Sequence, residues 1–347
     1  MTDAAAPEMI DWKVAVAIGS RLAGEGPIVS RDEADAAVTE LRADAHRSTG
    51  LVREFTGLDA PEGTAPITVV DRAGWVRANA EAFKVATAPL VGKLAEKKSP
   101  SAIGVAIGSK VTGMEVGGLL GYMAGKVLGQ FDPFHPDHGR LLLVAPNVVH
   151  VERELEVDPT DFRLWVCLHE ETHRVQFTAV PWMRDHLFSE IAAITEAVEP
   201  ASLLEGGTER LGEMVRAVRN GGSIVDMVST PEQREILDRV TGMMSLLEGH
   251  ADVVMDGVGP SVIPSVEAIR DKFTKRRKGV GTLDRLLRRL LGLEAKMAQY
   301  RDGAGFVRAV VDKVGMQEFN AVWAEPANLP SKAELSAADA WISRVLG

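Results

Sequence analysis

A chain of 347 residues that is 46% hydrophobic and 25% charged can build one large core or two moderate ones, which argues against wholesale disorder. Its net charge of −10 argues against a nucleic-acid partner for the chain as a whole. Its one cysteine, Cys167, excludes an internal disulfide and points to a reducing, cytoplasmic setting.

Aromatic residues make up only 5% of the chain while Ala, Leu, Val and Gly abound, which favours packed helices over a β-sandwich. The expected class is therefore mainly α with a small β component (α+β). The first residues carry neither the basic stretch nor the apolar run of a secretory leader. From Trp12 to Phe55 the pattern predicts two helices broken at Gly24-Glu25-Gly26-Pro27, the second capped by Ser30 with Glu33 closing a capping box. Residues 56–70 read as loop with a short strand, and residues 72–98 as helix.

The region 103–129 looks membrane-like at first sight. Its longest uncharged run, Val116 to Gly125, is ten residues, about half of the ~20 a bilayer requires. Glycines at 113, 117, 121, 125 and 129 recur every fourth residue and predict a buried core helix with a stripe for close helix approach. Asp132 to Gly139 is rich in turn residues, Arg140 to Ala145 suits a strand, and Asp158-Pro159-Thr160 starts a helix running to about Val180. Helices are predicted over 187–198 and 201–219, and from Thr230-Pro231, as N-cap and first residue, to Gly257. Further helices are expected over 283–291, 294–314 and 332–345. Residues 1–130 read as a helical region packed on residues 131–347, the two forming one compact unit. The segment Arg270 to Lys296 has ten Lys/Arg against three Asp/Glu, and reads first as a solvated basic face.

Residues 165–177 contain His169-Glu170-Glu171-Thr172-His173. On a helix, positions i and i+4 share a face, so both imidazoles can bind one metal ion, while Glu170 can reach a water on that ion as general base. The flanking Phe162, Trp165, Val166 and Leu168 bury this helix, where two histidines and a glutamate are costly unless a metal satisfies them. A tetrahedral Zn2+ needs a third protein ligand. The best candidate is Glu248, set among apolar residues, with Asp252 one turn on to orient a ligand histidine. Glu190, Glu196 and Glu267 are rivals with weaker surroundings. His250 is turned away from Glu248 by about 200°, and Cys167 is turned off the ligand face and reads as a packed small hydrophobe.

This combination resembles the gluzincins, in which H-E-x-x-H is completed by a glutamate on a later helix. The wider chain resembles a largely actinobacterial family of zincin-like metallopeptidases, some of whose members carry a deazaflavin-coenzyme biosynthesis label. The likeness lies in Val127 to Pro133, His169 to Phe177 with Val180-Pro181-Trp182, Glu248-Gly249-His250, and Lys296 to Tyr300 with Gly303 and Phe306-Val307. It implies a zincin-like fold with a helical N-terminal half, a Zn2+ cofactor and a peptide or amide substrate. The interval from His173 to Glu248 exceeds thermolysin's, so additional helices are expected between the two.

A peptidase of this kind also needs an oxyanion donor, for which Tyr300 is the candidate and Tyr122 is assigned to the core. Arg276 and Arg277 are candidates to bind a substrate carboxylate. The resemblance further implies an extended substrate along an edge strand, with Arg140 to Ala145 in that place. The competing expectation is a non-catalytic zinc protein or a scaffold; Glu170 favours catalysis, because a purely structural site needs no carboxylate beside its ligand.

Overall fold

The computed structural model describes residues 9–61, 63–97, 102–197, 230–278 and 293–347, with the side chains of residues 94–97, 102–106, 277–278 and 293–302 outside that description. It divides into two units. The first comprises residues 1–51, 61–174 and 263–266, and the second residues 52–60, 175–262 and 267–347.

The first unit is organised around a three-stranded sheet of order β1-β3-β2, built from β1 (Ile67–Val70), β2 (Gly129–Asp132) and β3 (Arg140–Val144). β3 lies parallel to β1, with Ile67 opposite Leu141, and antiparallel to β2, with Gly129 opposite Leu143. Leu141, Leu142, Leu143 and Val144 are all buried, the pattern of a strand covered on both faces and both edges. The expectation of β3 as the edge is thus corrected: β3 is central, and β2 is an edge. β2 escaped the sequence reading because its first residue, Gly129, continues the glycine period.

Helix α1 (Trp12–Ala23) and helix α4 (Ala102–Ala124) pack against each other through glycine. A Cβ on Gly117 would fall 2.6 Å from the Ala15 carbonyl oxygen, and one on Gly121 2.8 Å from that of Gly19. The stripe serves this contact at 113, 117 and 121, whereas Gly125 and Gly129 lie past the end of the helix. Among the described side chains of α4, Leu120 and Ala124 join a core with Trp75, Val76, Leu142 and Val144, while Ile107, Val111, Met114 and Leu119 are exposed, so the helix is not buried all round. Among the described residues, no helix is long and apolar enough to cross a membrane.

Helix α2 (Arg31–Thr56) begins at the expected capping box. The Glu33 N–H donates to Ser30 Oγ at 3.2 Å, and the Ser30 N–H to Glu33 Oε2 at 2.8 Å. Helix α3 (Arg72–Lys97) presents Trp75, whose indole donates to Gln130 Oε1 at 2.9 Å, and Asn79, whose Oδ1 accepts from the Gln130 amide at 3.1 Å. β2 is thereby fastened to α3. Helix α5 (Ala145–Leu155) was not expected: it starts directly on β3, with Pro146 in its first turn. Helix α6 (Pro159–Ala179) starts where Asp158-Pro159 predicts, with the Asp161 N–H donating to Asp158 Oδ1 at 3.0 Å.

The second unit contains helices α7 (Met183–Ala197), α8 (Pro231–Val262), α9 (Val266–Lys278), α10 (Leu293–Phe319) and α11 (Ala338–Val345). α8 runs past its expected end at Gly257, which is helical. α9 was not anticipated, because its polar, basic surface gives little apolar period. The helices expected over 201–219 and 283–291 lie outside the described residues. α8 and α10 cross at Gly249 and Gly303, where a Cβ on either would run into the other helix's backbone. Phe306, Val307, Phe319, Trp323 and Trp341 fill the core beside that crossing. The architecture is mainly α with a small β component, as the composition requires.

Candidate metal centre

Helix α6 is buried on most of its circumference, with Phe162 and Leu164 to Leu168 all enclosed. Along its middle, His169, Glu170 and His173 are only half-buried, an opening in the otherwise buried run from Leu164 to Gln176. His169 Nε2 and His173 Nε2 face each other at 3.4 Å, with their rings perpendicular. Two nitrogens bound to one tetrahedral zinc at ~2.0–2.1 Å stand about 3.3–3.4 Å apart. The pair therefore already has the spacing such an ion imposes.

Glu248 is the half-buried residue in a buried stretch of α8. His169 and His173 present two imidazoles on one face of α6, and Glu248 presents a half-buried carboxylate on α8. Two neutral imidazoles and one carboxylate form a donor set suited to zinc, with a fourth position left for water or substrate. The rival Glu190 is committed elsewhere: Arg239 grips both its oxygens, with Nε at 3.0 and 3.2 Å.

Glu170 lies against β2. A Cβ on Gly129 would fall 2.5 Å from Glu170 Cγ and 2.8 Å from Cδ, so the strand leaves room for the carboxylate only because that position is glycine. The Val144 N–H donates to the Leu128 carbonyl at 2.8 Å, which makes 128/144 a hydrogen-bonded pair. Antiparallel pairs alternate, so at the next pair, Gly129 opposite Leu143, the Gly129 N–H and C=O point away from β3.

The opposite side of α6 is anchored by a buried ion pair. Arg174 Nε donates to both oxygens of Glu171, at 2.8 and 2.9 Å, and its Nη1 to the Thr64 carbonyl at 2.8 Å. Thr49 Oγ1 donates to Glu171 Oε1 at 2.6 Å. A fully buried charge persists only when paired and hydrogen-bonded in this way. Cys167 is buried with its thiol donating to the Leu41 carbonyl at 3.5 Å, and burial, reinforced by Asp44 and Glu170, pushes that thiol up. It is a packing residue, as expected.

Of the remaining candidates, Asp252 is half-buried on α8, and its charge partly offsets the burial that holds the Arg270 guanidinium below its usual range. Arg276 is half-buried on α9. The side chains of Tyr300 and Arg277 lie outside the described residues. Tyr122 is half-buried, with the Lys126 ammonium 5.7 Å from its ring centroid. Gly129 and Gln176 were not singled out from the sequence. The signal available for Gln176 was its place seven residues after His169, on the same helical stripe.

A family described as zincin-like metallopeptidase matches residues 10–342. A solved structure from Chloroflexus aurantiacus, described as that of a proposed hydrolase with a novel fold, is similar at 32% identity and a TM-score of 0.73, over 96% of this chain and 98% of that one. No curated protein matches.

Proposed function

The chain belongs to the zincin-like metallopeptidase family, and on that premise we propose that it is a zinc-dependent hydrolase cleaving a peptide or related amide bond. The observation that carries this reading is the pair of facing histidine nitrogens, 3.4 Å apart, with Glu170 beside the first of them. His169, His173 and Glu248 would hold the ion. Zinc, when bound, would polarise the scissile carbonyl and make a water molecule more acidic.

Glu170 takes the proton from the attacking water and returns it to the departing amine. The space beside Gly129 fixes where that carboxylate stands. The Gly129 N–H and C=O, turned away from β3, offer an extended peptide a place to add as a further strand beside β2. Tyr300 is the candidate donor to the developing oxyanion, Arg276 and Arg277 the candidates for a substrate carboxylate, and Asp252 the candidate that orients a ligand histidine.

Elemental analysis of protein purified without added metal tests the reading. It should give about one zinc per chain, and His173→Ala less than about a tenth of that. Wild type should cleave members of a mixed peptide library. Glu170→Gln, which keeps shape and zinc but loses the base, should be slower by a factor on the order of a hundred or more. A wild-type chain that neither carries nor takes up zinc overturns the proposal, and loss of zinc from Glu170→Gln would make Glu170 a ligand.

A further inference from the structure

Gln176 follows His169 by seven residues and His173 by three, so the three share one stripe of α6. It is fully buried. Its Nε2 donates to the Leu247 carbonyl at 2.9 Å and stands 3.0 Å from His250 Nδ1. A carbonyl oxygen only accepts, so the atom facing it is the amide nitrogen and not the amide oxygen. The second N–H then meets Nδ1, which must accept, and neutral His250 carries its proton on Nε2.

Leu247 and His250 bracket Glu248 in the chain. The His250 ring packs against Phe319, with centroids 5.7 Å apart, and Trp323, at 5.2 Å. Gly249, between Glu248 and His250, abuts Gly303 of α10. The one half-buried side chain in this immobilised turn is Glu248.

We propose that Gln176 is a positioning residue for the third metal ligand. Its amide ties the turn of α8 that carries Glu248 to the helix that carries both histidines, and so sets where the carboxylate stands without touching the ion. The inference rests on the metal-binding reading above. Hydrogen bonds behind a ligand typically govern metal affinity by 10–100-fold, and a buried glutamine amide with two acceptors is well suited to that work, since it adds no charge near the ion.

The test is a zinc titration of the full chain against a chromophoric chelator, for wild type, Gln176→Met, Glu248→Ala and the double variant. Met keeps the approximate volume and removes both hydrogen bonds. Gln176→Met is expected to weaken zinc binding about 10–100-fold. In the Glu248→Ala background it is expected to change affinity by less than about twofold, because the ligand it acts through is gone.

A packing role would lower the melting temperature of the zinc-free protein and leave zinc affinity unchanged, or weaken it by the same factor in both backgrounds. Either result overturns the proposal. Should Gln176→Met not fold, Gln176→Asn, which draws the same amide back by one methylene, serves the same comparison. Zinc binding that Glu248→Ala weakens and the Gln176 variants do not refutes Gln176 alone. Wild type that binds no zinc, or Glu248→Ala that binds as tightly as wild type, refutes the ligand assignment and this inference with it.

Discussion

At the scale of single residues, the position of the proposed base depends on an atom that is absent. Gly129 has no Cβ, and the space that atom would fill is held by Cγ and Cδ of Glu170. Backbone conformation does not require this glycine, because β2 is ordinary strand and alanine would be tolerated there. A methyl group at 129 would meet a flexible side chain, so the carboxylate should move and the strand should not. Gly129→Ala is therefore expected to keep its zinc and its melting temperature, while turnover of a cleavable peptide falls on the order of a hundredfold, the usual cost of misplacing a reacting group by about 1 Å. Parallel measurement of zinc content, thermal melting and initial rates checks it. A variant that melts many degrees lower would assign Gly129 to the stability of the sheet, and one with wild-type rates would free Glu170 from any dependence on it.

At the scale of elements, the same device appears twice: a helix pair brought close by glycine. In α1 and α4 the stripe was readable as a four-residue period. In α8 and α10 it was not, because Gly249 and Gly303 belong to no four-residue glycine period and stand on helices far apart in the sequence. A Cβ at Gly303 would land on the Ser245 carbonyl, which is backbone and cannot swing aside. Gly303→Ala should therefore destabilise the zinc-free protein by about 1–3 kcal/mol or more, seen as a lower urea midpoint at unchanged slope. An unchanged midpoint would mean that the helices separate at little cost.

At the scale of the whole molecule, pH dependence follows from Asp44. It is buried on α2, and desolvation, with Glu40 nearby and against Arg47 and Arg163, raises its carboxyl from an ordinary 3.8 to about 6. Below pH 3.8 the group is protonated in both folded and unfolded states and affects stability little. Between there and about 6 the unfolded chain gives up the proton first, so this group makes stability fall as pH rises. Above about 6 the full cost remains, on the order of 2–3 kcal/mol. Asp44→Asn cannot ionise. Its stability relative to wild type should climb between pH 4 and 6.5 and then level off, as followed by urea denaturation across that range. A constant difference would show that Asp44 titrates normally.

The sequence by itself determined the class, the helix that carries the facing histidines, the capping box of α2, the glycine stripe of α4, and the packing role of Cys167. Each of these is written in a local period, a cap or a spacing that the helix repeat converts directly into geometry. The Glu248 candidate was legible as a lone carboxylate in an apolar stripe of α8, although the choice among four glutamates rested on surroundings. What only the tertiary structure decided was which strand is an edge, what stands beside Glu170 and what holds the turn around Glu248. β2 is four residues long and fixed by pairing with β3 and by Gln130 reaching Trp75 and Asn79. Gln176 acquires its meaning from acceptors about seventy residues further on. Such contacts leave no period in the chain, because distant segments, and not neighbouring turns, complete them.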